Sequence, residues 1–228
     1  VTAERFADPR DFFRWAHGLV VAGDDRFRAL GTVKESLSAG LGALTGSVQA
    51  SVWHLTHTPT WSEVRAGRGL AAVAARRGVD GRYVTSPASL ERLPLLASHH
   101  PRLRVAPVVA PLLVVDGRTV FVGAPRGHSL EGQVFVSTVP HVAAAAVTCY
   151  ERVWAGATPV HGPGEQPRFS RRMVEVAFLL TDGATDREIA RTLGVSERTV
   201  SADVAEVTRR LGARGRGHAI ALIGGGSY

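Results

Sequence analysis

The chain has 228 residues, 27 of them basic and 20 acidic, and carries a net charge of +7. This length holds one or two domains with a proper core, and 45% apolar with 21% charged residues is the balance of a soluble globular protein. No apolar run reaches the roughly 18 residues of a membrane span, and no secretory signal is visible, so no membrane partner is expected. The single cysteine, Cys149, excludes an internal disulfide and suits a reducing cytoplasm, which is the expected location. It lies in an alanine-rich apolar run and reads as a buried, inert thiol. The chain begins at Val1, which leaves open whether its natural N-terminus is present. Residues 1–164 hold 17 basic and 12 acidic residues, and 165–228 hold 10 and 8, so charge alone points only weakly to a polyanion partner. Arg supplies 26 of the 27 basic residues, a bias that fits a GC-rich genome better than a function.

In chain order, Asp8-Pro9 opens a helix that crowds Phe12, Phe13 and Trp15 into about one turn. That surface must bury, either in its own domain or in a dimer contact. Leu19–Arg28 reads as an apolar strand followed by paired aspartates, the opening of a response-regulator receiver. The remaining receiver residues are absent, since no Asp occurs between Asp25 and Asp80 and the only lysine is Lys34. Asp24 and Asp25 then read as caps of a following helix, Arg26–Thr45, with a stripe of Phe27, Leu30, Val33, Leu37, Leu41 and Leu44. Strands are expected at Ser47–Leu55, Arg82–Thr85, Leu103–Pro107, Pro111–Val115, Val120–Val122 and Gln133–Ser137. Helices are expected at Val64–Arg77, Pro87–Ala97 and Pro140–Gly156. Asp116-Gly117 is a strong hairpin turn. Thr158–Pro167, TPVHGPGEQP, is a Pro/Gly linker. Alternating strands and helices with a late hairpin indicate an α/β sandwich.

After the linker the pattern becomes helical. Ile189, Ala190 and Leu193 line one face of a short helix, and Thr185 with Glu188 fits a capping box. Gly194 supplies a left-handed turn, Val195 a buried turn residue and Ser196 the next N-cap. Val200, Val204, Val207 and Leu211 stripe the second helix. The turn is too short for antiparallel packing, so the helices cross steeply, the geometry of a helix-turn-helix that lays its second helix in the major groove.

Residues 169–223, above all EIARTLGVSERTV followed by RRLGAR, resemble the C-terminal DNA-binding domain of the LuxR family, also called the GerE form. The resemblance implies four helices, Ser170–Thr181, Asp186–Leu193, Glu197–Leu211 and Arg216–Ile223, with the third as recognition helix and the fourth helping to dimerise. It places Thr185, Arg187, Ser196, Arg198 and Thr199 at helix N-termini suited to phosphate oxygens. It places Ser201, Ala202 and Ala205 at base edges. Relatives often carry basic residues at the first and third of these positions, and a histidine where this chain has Asp203. Alanine reaches only a thymine methyl, so direct readout should be weak and DNA shape should contribute. Asp203 would repel phosphate if it faced the backbone. Arg209, Arg210 and Arg214, with Arg216 beyond, read either as phosphate contacts or as a solvated helix end favoured by the dipole.

YVTSPASLERLPLLASHHPRLRVAPVVAPLLVVDGRTVFVGAP, with the element order around it, resembles half of a phospholipase D-type fold, as in the sensor domains of some LuxR-type and TrmB-type regulators. The enzymes carry His-x-Lys-x4-Asp on the strand that here runs Val109 to Asp116. Val109 and Pro111 occupy the histidine and lysine positions and only Asp116 remains, so phosphodiesterase chemistry is expected to be lost.

His54-x-x-His57 and His99-His100 place no third ligand, so no metal is expected. Trp53, Trp61, Arg82 and Tyr83 lie near expected strand ends and are candidates for a small acidic or aromatic ligand, or for plain core packing. The Gly123–Gly127 loop lacks phosphate-loop spacing. The sequence therefore reads as a mixed α/β sensor or dimerisation domain, 1–157, a linker, 158–168, and an all-α four-helix domain, 169–228. The expected function is a dimeric one-component transcription regulator binding double-stranded DNA, with a small-molecule effector and without cofactor or enzymatic activity. The alternatives are an active phospholipase D-like phosphodiesterase with a DNA-binding tail, or an interaction module that has lost DNA binding.

Overall fold

The computed structural model describes residues 6, 8–33, 35–36, 47–162 and 164–226. The chain forms two compact units. One takes Val1–Pro59, Ala66–Ser86 and Arg102–Val160; the other takes Thr60–Arg65, Pro87–Pro101 and His161–Tyr228. The unit holding the helix-turn-helix thus includes two short segments, 60–65 and 87–101, that lie far upstream of it in sequence.

The first unit opens with α1 (Pro9–Val21), capped by Asp8, whose carboxylate accepts the Arg10 N–H at 2.8 Å. Around it lie β1 (Arg28–Thr32), β2 (Ser51–Thr56), most of α2 (Trp61–Arg77) and β3 (Asp80–Thr85). The unit is completed by β4 (Leu103–Val105), β5 (Leu112–Val115), β6 (Thr119–Gly123), β7 (Gln133–Ser137), α5 (Pro140–Gly156) and β8 (Thr158–Pro159). These strands form one mixed sheet of order β1-β7-β6-β5-β2-β3-β4-β8, in which β2, β3 and β4 run parallel and the other pairs antiparallel. Side chains alternate across it. Leu112 and Val114 of β5 join Leu55, Val84, Val120 and Val122 in a core covered by Phe12, Phe13 and Ala16 of α1 and Ala146, Cys149 and Tyr150 of α5. Leu113 and Val115 face the other way, with Val48, Val52, Phe121 and Leu70 of α2. The α1 aromatics are therefore committed to their own core; Trp15 packs at its margin against Phe6. Cys149 is buried, and burial pushes its thiol up to about 12.

The elements depart from expectation where tertiary partners override local pattern. Leu19–Val21 end α1 instead of forming a strand. Asp24 caps no helix: its carboxylate takes the Arg26 N–H at 3.0 Å and the guanidinium at 2.7 Å in a tight turn. Residues 28–32, expected as helix, form β1, because β7 offers them a ladder of backbone partners. Of the rest of that expected helix, Val33, Glu35 and Ser36 are helical, and 34 and 37–45 lie outside the described residues. The Pro87–Ala97 helix is split into α3 (Pro87–Arg92) and α4 (Leu96–His99), since Pro94 lacks an N–H and disfavours helical geometry at Leu93. Thr158 and Pro159, expected as linker, pair with β4 as β8.

The β2 strand begins at Ser51 rather than Ser47, and Asp116 supplies the reason. The β5–β6 turn puts Asp116 and Gly117 at φ 53° and 62°. In that conformation the Asp116 carboxylate accepts the backbone N–H groups of Gln49, Ala50 and Ser51 at 3.0, 2.7 and 2.9 Å. Burial opposes its charge, but these three donors outweigh that and hold the carboxyl below its usual range. Asp116, the one position that fits the expected phospholipase D-type pattern, is thus a structural clamp. On the opposite face from Leu55, the His54 ring meets Tyr83 edge-on at 5.0 Å. Burial lowers its pKa to about 4, so the imidazole is neutral at neutral pH.

The second unit contains the first turn of α2, then α3, α4, α6 (Arg171–Thr181), α7 (Asp186–Leu193), α8 (Glu197–Leu211) and α9 (Arg216–Ile223). Its centre is Val176, Leu180, Ile189, Ala190 and Val200, with Leu193, Val195, Val204 and Ile220 around them. Phe178 of α6 is buried under Trp61, stacked at 4.8 Å, and meets His99 edge-on at 4.9 Å. The Trp61 indole donates to Thr181 Oγ1 at 3.0 Å, and Arg65 pairs with Asp182 at 2.7 Å. None of the helices of either unit is long and apolar enough, among the described residues, to cross a membrane.

Two outcomes follow. Asp116→Ala removes the acceptor of three N–H groups and puts alanine at positive φ; it should cost about 2 kcal/mol, read as a lower urea midpoint, with Asp116→Asn recovering about half. For His54 the folded pKa is depressed, so the unfolded chain binds more protons between pH 4 and 6.5. Stability from this group is full above 6.5 and falls as pH drops, by about 2 kcal/mol at pH 5. Comparing urea midpoints at pH 7 and 5, His54→Leu should lose that share of the difference.

Candidate nucleic-acid interface

The helix-turn-helix is set by caps. Thr185 and Glu188 form the reciprocal box: the Glu188 N–H reaches Thr185 Oγ1 at 3.3 Å, and Glu188 Oε2 accepts the Thr185 N–H at 2.8 Å. Gly194 ends α7 at φ 67°, where a β-carbon would clash with the following carbonyl. Ser196 Oγ accepts the Thr199 N–H at 3.1 Å and opens α8. Val195 is half-buried in the turn, packed on the helical core.

The inner face of α8 is Val200, Asp203 and Val207, at three- and four-residue spacing. Val204 and Leu211, expected in the apolar stripe, are only half-buried. Asp203 is 4% exposed and takes a two-pronged bond from Arg172 of α6, Nε at 2.6 Å and Nη2 at 3.1 Å. It faces the interior of its own unit and so cannot present its charge to a phosphate backbone. The expectation of repulsion assumed an outward side chain; a partner on α6, invisible in the local pattern, turns it inward.

The opposite face carries Arg198, Ser201, Ala202, Ala205 and Arg209, all exposed, with Thr199 half-buried beside them. Thr185, Arg187 and Ser196 are exposed at the two helix starts, and Arg214 just beyond α8. Several of these groups already have partners. Ser201 Oγ donates to Asp186 Oδ2 at 2.8 Å, and Arg216 pairs with the same carboxylate, holding it below its usual range. Glu206 takes both Arg209 and Arg210 at 2.6 Å, which lowers its pKa to about 2. Arg210 also donates to the Arg168 carbonyl. The arginine cluster at the helix end is therefore partly neutralised within the fold, whereas Arg187, Arg198 and Arg214 make no ion pair among the described residues. Exposed guanidinium groups beside two helix N-termini suit phosphate oxygens, and the small side chains between them let a helix approach base edges closely.

Of the candidate ligand residues, Trp53 and Arg82 are register partners on β2 and β3 and come together, the guanidinium 4.4 Å from the indole centre. Tyr83 points to the other face of the sheet, against His54, and Trp61 belongs to the helical unit. The Arg172–Asp203 pair had no signal in local spacing.

Residues 167–223 match the family described as "Bacterial regulatory proteins, luxR family". The chain thus carries a luxR-type helix-turn-helix domain, which supports a DNA-binding transcription regulator. Among solved structures it is similar to TrmBL2, described as an archaeal chromatin protein, at 13% identity and TM-score 0.49, over 66% of this chain and 62% of that one. It is similar to NucT from Helicobacter pylori at 13% identity and TM-score 0.46, over 58% of this chain and 96% of that one. It is also similar to VqmA of Vibrio cholera, from a complex with ligand and DNA, at 22% identity and TM-score 0.24, over 50% and 47%. The chain spans less than two thirds of TrmBL2. No curated protein sequence matches it.

Asp203→Ala should leave Arg172 without its partner. Arg172 is 52% exposed, so part of the penalty is recovered by water, and stability should fall by about 1–3 kcal/mol, read as a lower urea midpoint, with no gain in DNA affinity. Markedly tighter DNA binding at unchanged stability would show instead that the carboxylate faces phosphate.

Proposed function

We propose that the protein regulates transcription by laying α8 in the major groove of duplex DNA, as a homodimer whose two α8 helices meet half-sites about one helical turn apart. The observation that carries this reading is the outer face of α8: Arg198, Ser201, Ala202, Ala205 and Arg209 exposed along one side of a luxR-type recognition helix. Arg187, Arg198, Arg214 and the N-termini at Thr185, Ser196 and Thr199 hold phosphates. Ser201, Ala202 and Ala205 meet base edges. Arg209 and Arg210 contribute less, because Glu206 shares them.

In this reading, the sheet unit is the sensor and dimerisation domain, the stretch 160–168 after β8 the linker and 169–228 the DNA-binding domain, and the protein works in the cytoplasm. The sheet domain is a phospholipase D-like half without its chemistry. Val109 and Pro111 supply neither nucleophile nor phosphate-binding cation, and the Asp116 carboxylate is occupied by backbone. A small effector acts by changing the placement of the two DNA-binding domains.

Recovery of bound fragments from a genomic DNA pool, at fixed near-physiological salt, tests the reading. The parent should recover a shared, roughly palindromic motif. An Arg198→Ala, Thr199→Ala double variant should lose it, and its residual binding should have a shallower salt dependence by about one unit of slope. Equal recovery of one motif by both proteins would move the interface off α8.

A further inference from the structure

The starts of the parallel strands β2, β3 and β4 bring a dense set of cations and rings to the last turns of α5. Arg82 lies 4.4 Å from the Trp53 ring centre and 5.3 Å from that of Trp154. Arg104 sits 4.2 Å over Trp154, and Arg102 lies 6.0 Å from the same ring. Among the described residues one carboxylate meets two of the three arginines: Asp80 accepts the Trp53 indole N–H at 3.0 Å and Arg102 Nη1 at 2.6 Å, and lies 2.8 Å from Arg82 Nε. Arg104 Nη1 donates to the Trp154 carbonyl at 2.8 Å and has no acid. The cluster therefore carries an excess of two positive charges.

Two donors at its centre make no aligned hydrogen bond among the described residues. Arg82 Nε is buried, and its N–H is not aimed at the nearby Asp80 oxygen. The Tyr150 hydroxyl is buried without a hydrogen-bond partner among the described residues, in a residue 0% exposed whose ring stacks on Trp53 at 5.2 Å. The charges of Arg82, Asp80, Arg102 and Arg104 all reach that hydroxyl, while burial, the largest influence, pushes its pKa up and keeps the donor protonated. Arginine–tryptophan stacking as mere packing accounts for the ring contacts. It does not account for a third arginine, Arg104, gathered beside a carboxylate already shared by two, nor for a buried tyrosine hydroxyl with no hydrogen-bond partner among the described residues. Guanidinium forks match the oxygens of carboxylate and phosphate groups, and are more effective beside low-dielectric ring walls than in water.

We propose that Arg82, Arg102, Arg104 and Tyr150 form a binding site for a small organic anion bearing a carboxylate or phosphate group, with Trp53 and Trp154 as its apolar walls. Arg102, 59% exposed, marks the open side. The site gives the proposed sensor domain an effector class, and rests on that reading only for what the bound anion does to DNA.

The test titrates the full chain with succinate and, separately, inorganic phosphate, against chloride at constant ionic strength, following tryptophan fluorescence. Trp53 and Trp154 report the site; Trp15 and Trp61 lie outside it. A saturable change with either probe and none with chloride is expected, and the probe that acts identifies the oxyanion. Arg102→Gln and Tyr150→Phe should each weaken it by about tenfold, with Tyr150→Phe retaining the ring stack. Responses no larger than chloride's, or unchanged affinity in both variants, would overturn the proposal. No DNA is present, so a flat titration leaves the regulator reading standing, and a failure to bind DNA leaves the anion site standing.

Discussion

The pair between Arg172 and Asp203 fixes which way α8 faces. An α-helix with two buried valines on one side can still roll by some tens of degrees about its axis. A carboxylate held by two guanidinium bonds from α6 cannot follow such a roll without leaving a charge buried and unpaired, a far larger cost than a slipped apolar contact. Once Asp203 points inward, Val200 and Val207 fall in line with it, and Arg198, Ser201, Ala202 and Ala205 must point out. The proposed reading face is a consequence of that inward contact. The same pair removes one ground for regarding the helix-turn-helix as a lost DNA binder.

Charge around α8 is managed rather than merely displayed. Of the basic residues near the helix end, Arg209 and Arg210 are drawn onto Glu206 and Arg216 onto Asp186. Cation count alone therefore overstates the positive field at this surface. The guanidinium groups at Arg187, Arg198 and Arg214, without an ion pair among the described residues, flank a strip of small side chains, an arrangement suited to positioning a helix on phosphates with shallow base readout. In the sheet unit the balance is reversed, with three arginines gathered around one aspartate and two tryptophans.

Where structure is dictated by neighbours in the chain, the sequence was legible. The box of Thr185 and Glu188, the left-handed Gly194 and the Ser196 cap place α7 and α8 at the expected residues, and α5 and β7 also begin and end where expected. Where structure depends on distant partners, local pattern misled. Apolar spacing over 26–45 suggested a helix, but β7 recruits residues 28–32 as a strand. The β2 start was set by Asp116, more than sixty residues away. Trp53 and Arg82 could be picked out as site candidates, yet Asp80, Arg102, Arg104, Tyr150 and Trp154 could not, because only strand order brings them together. Trp61, chosen on the same grounds, instead covers Phe178 in the helical unit.

Whether the outer face of α8 meets DNA is read from a map of backbone amide shifts in the isotope-labelled full chain on addition of a duplex recovered from the genomic pool. The largest changes should fall at Arg198, Ser201, Ala202 and Ala205, with smaller ones at the N-termini around Thr185 and Ser196 and little at Val200, Asp203 and Val207. Changes centred on Asp203 and its inward neighbours, or confined to the sheet unit with α8 silent, would contradict contact through that face.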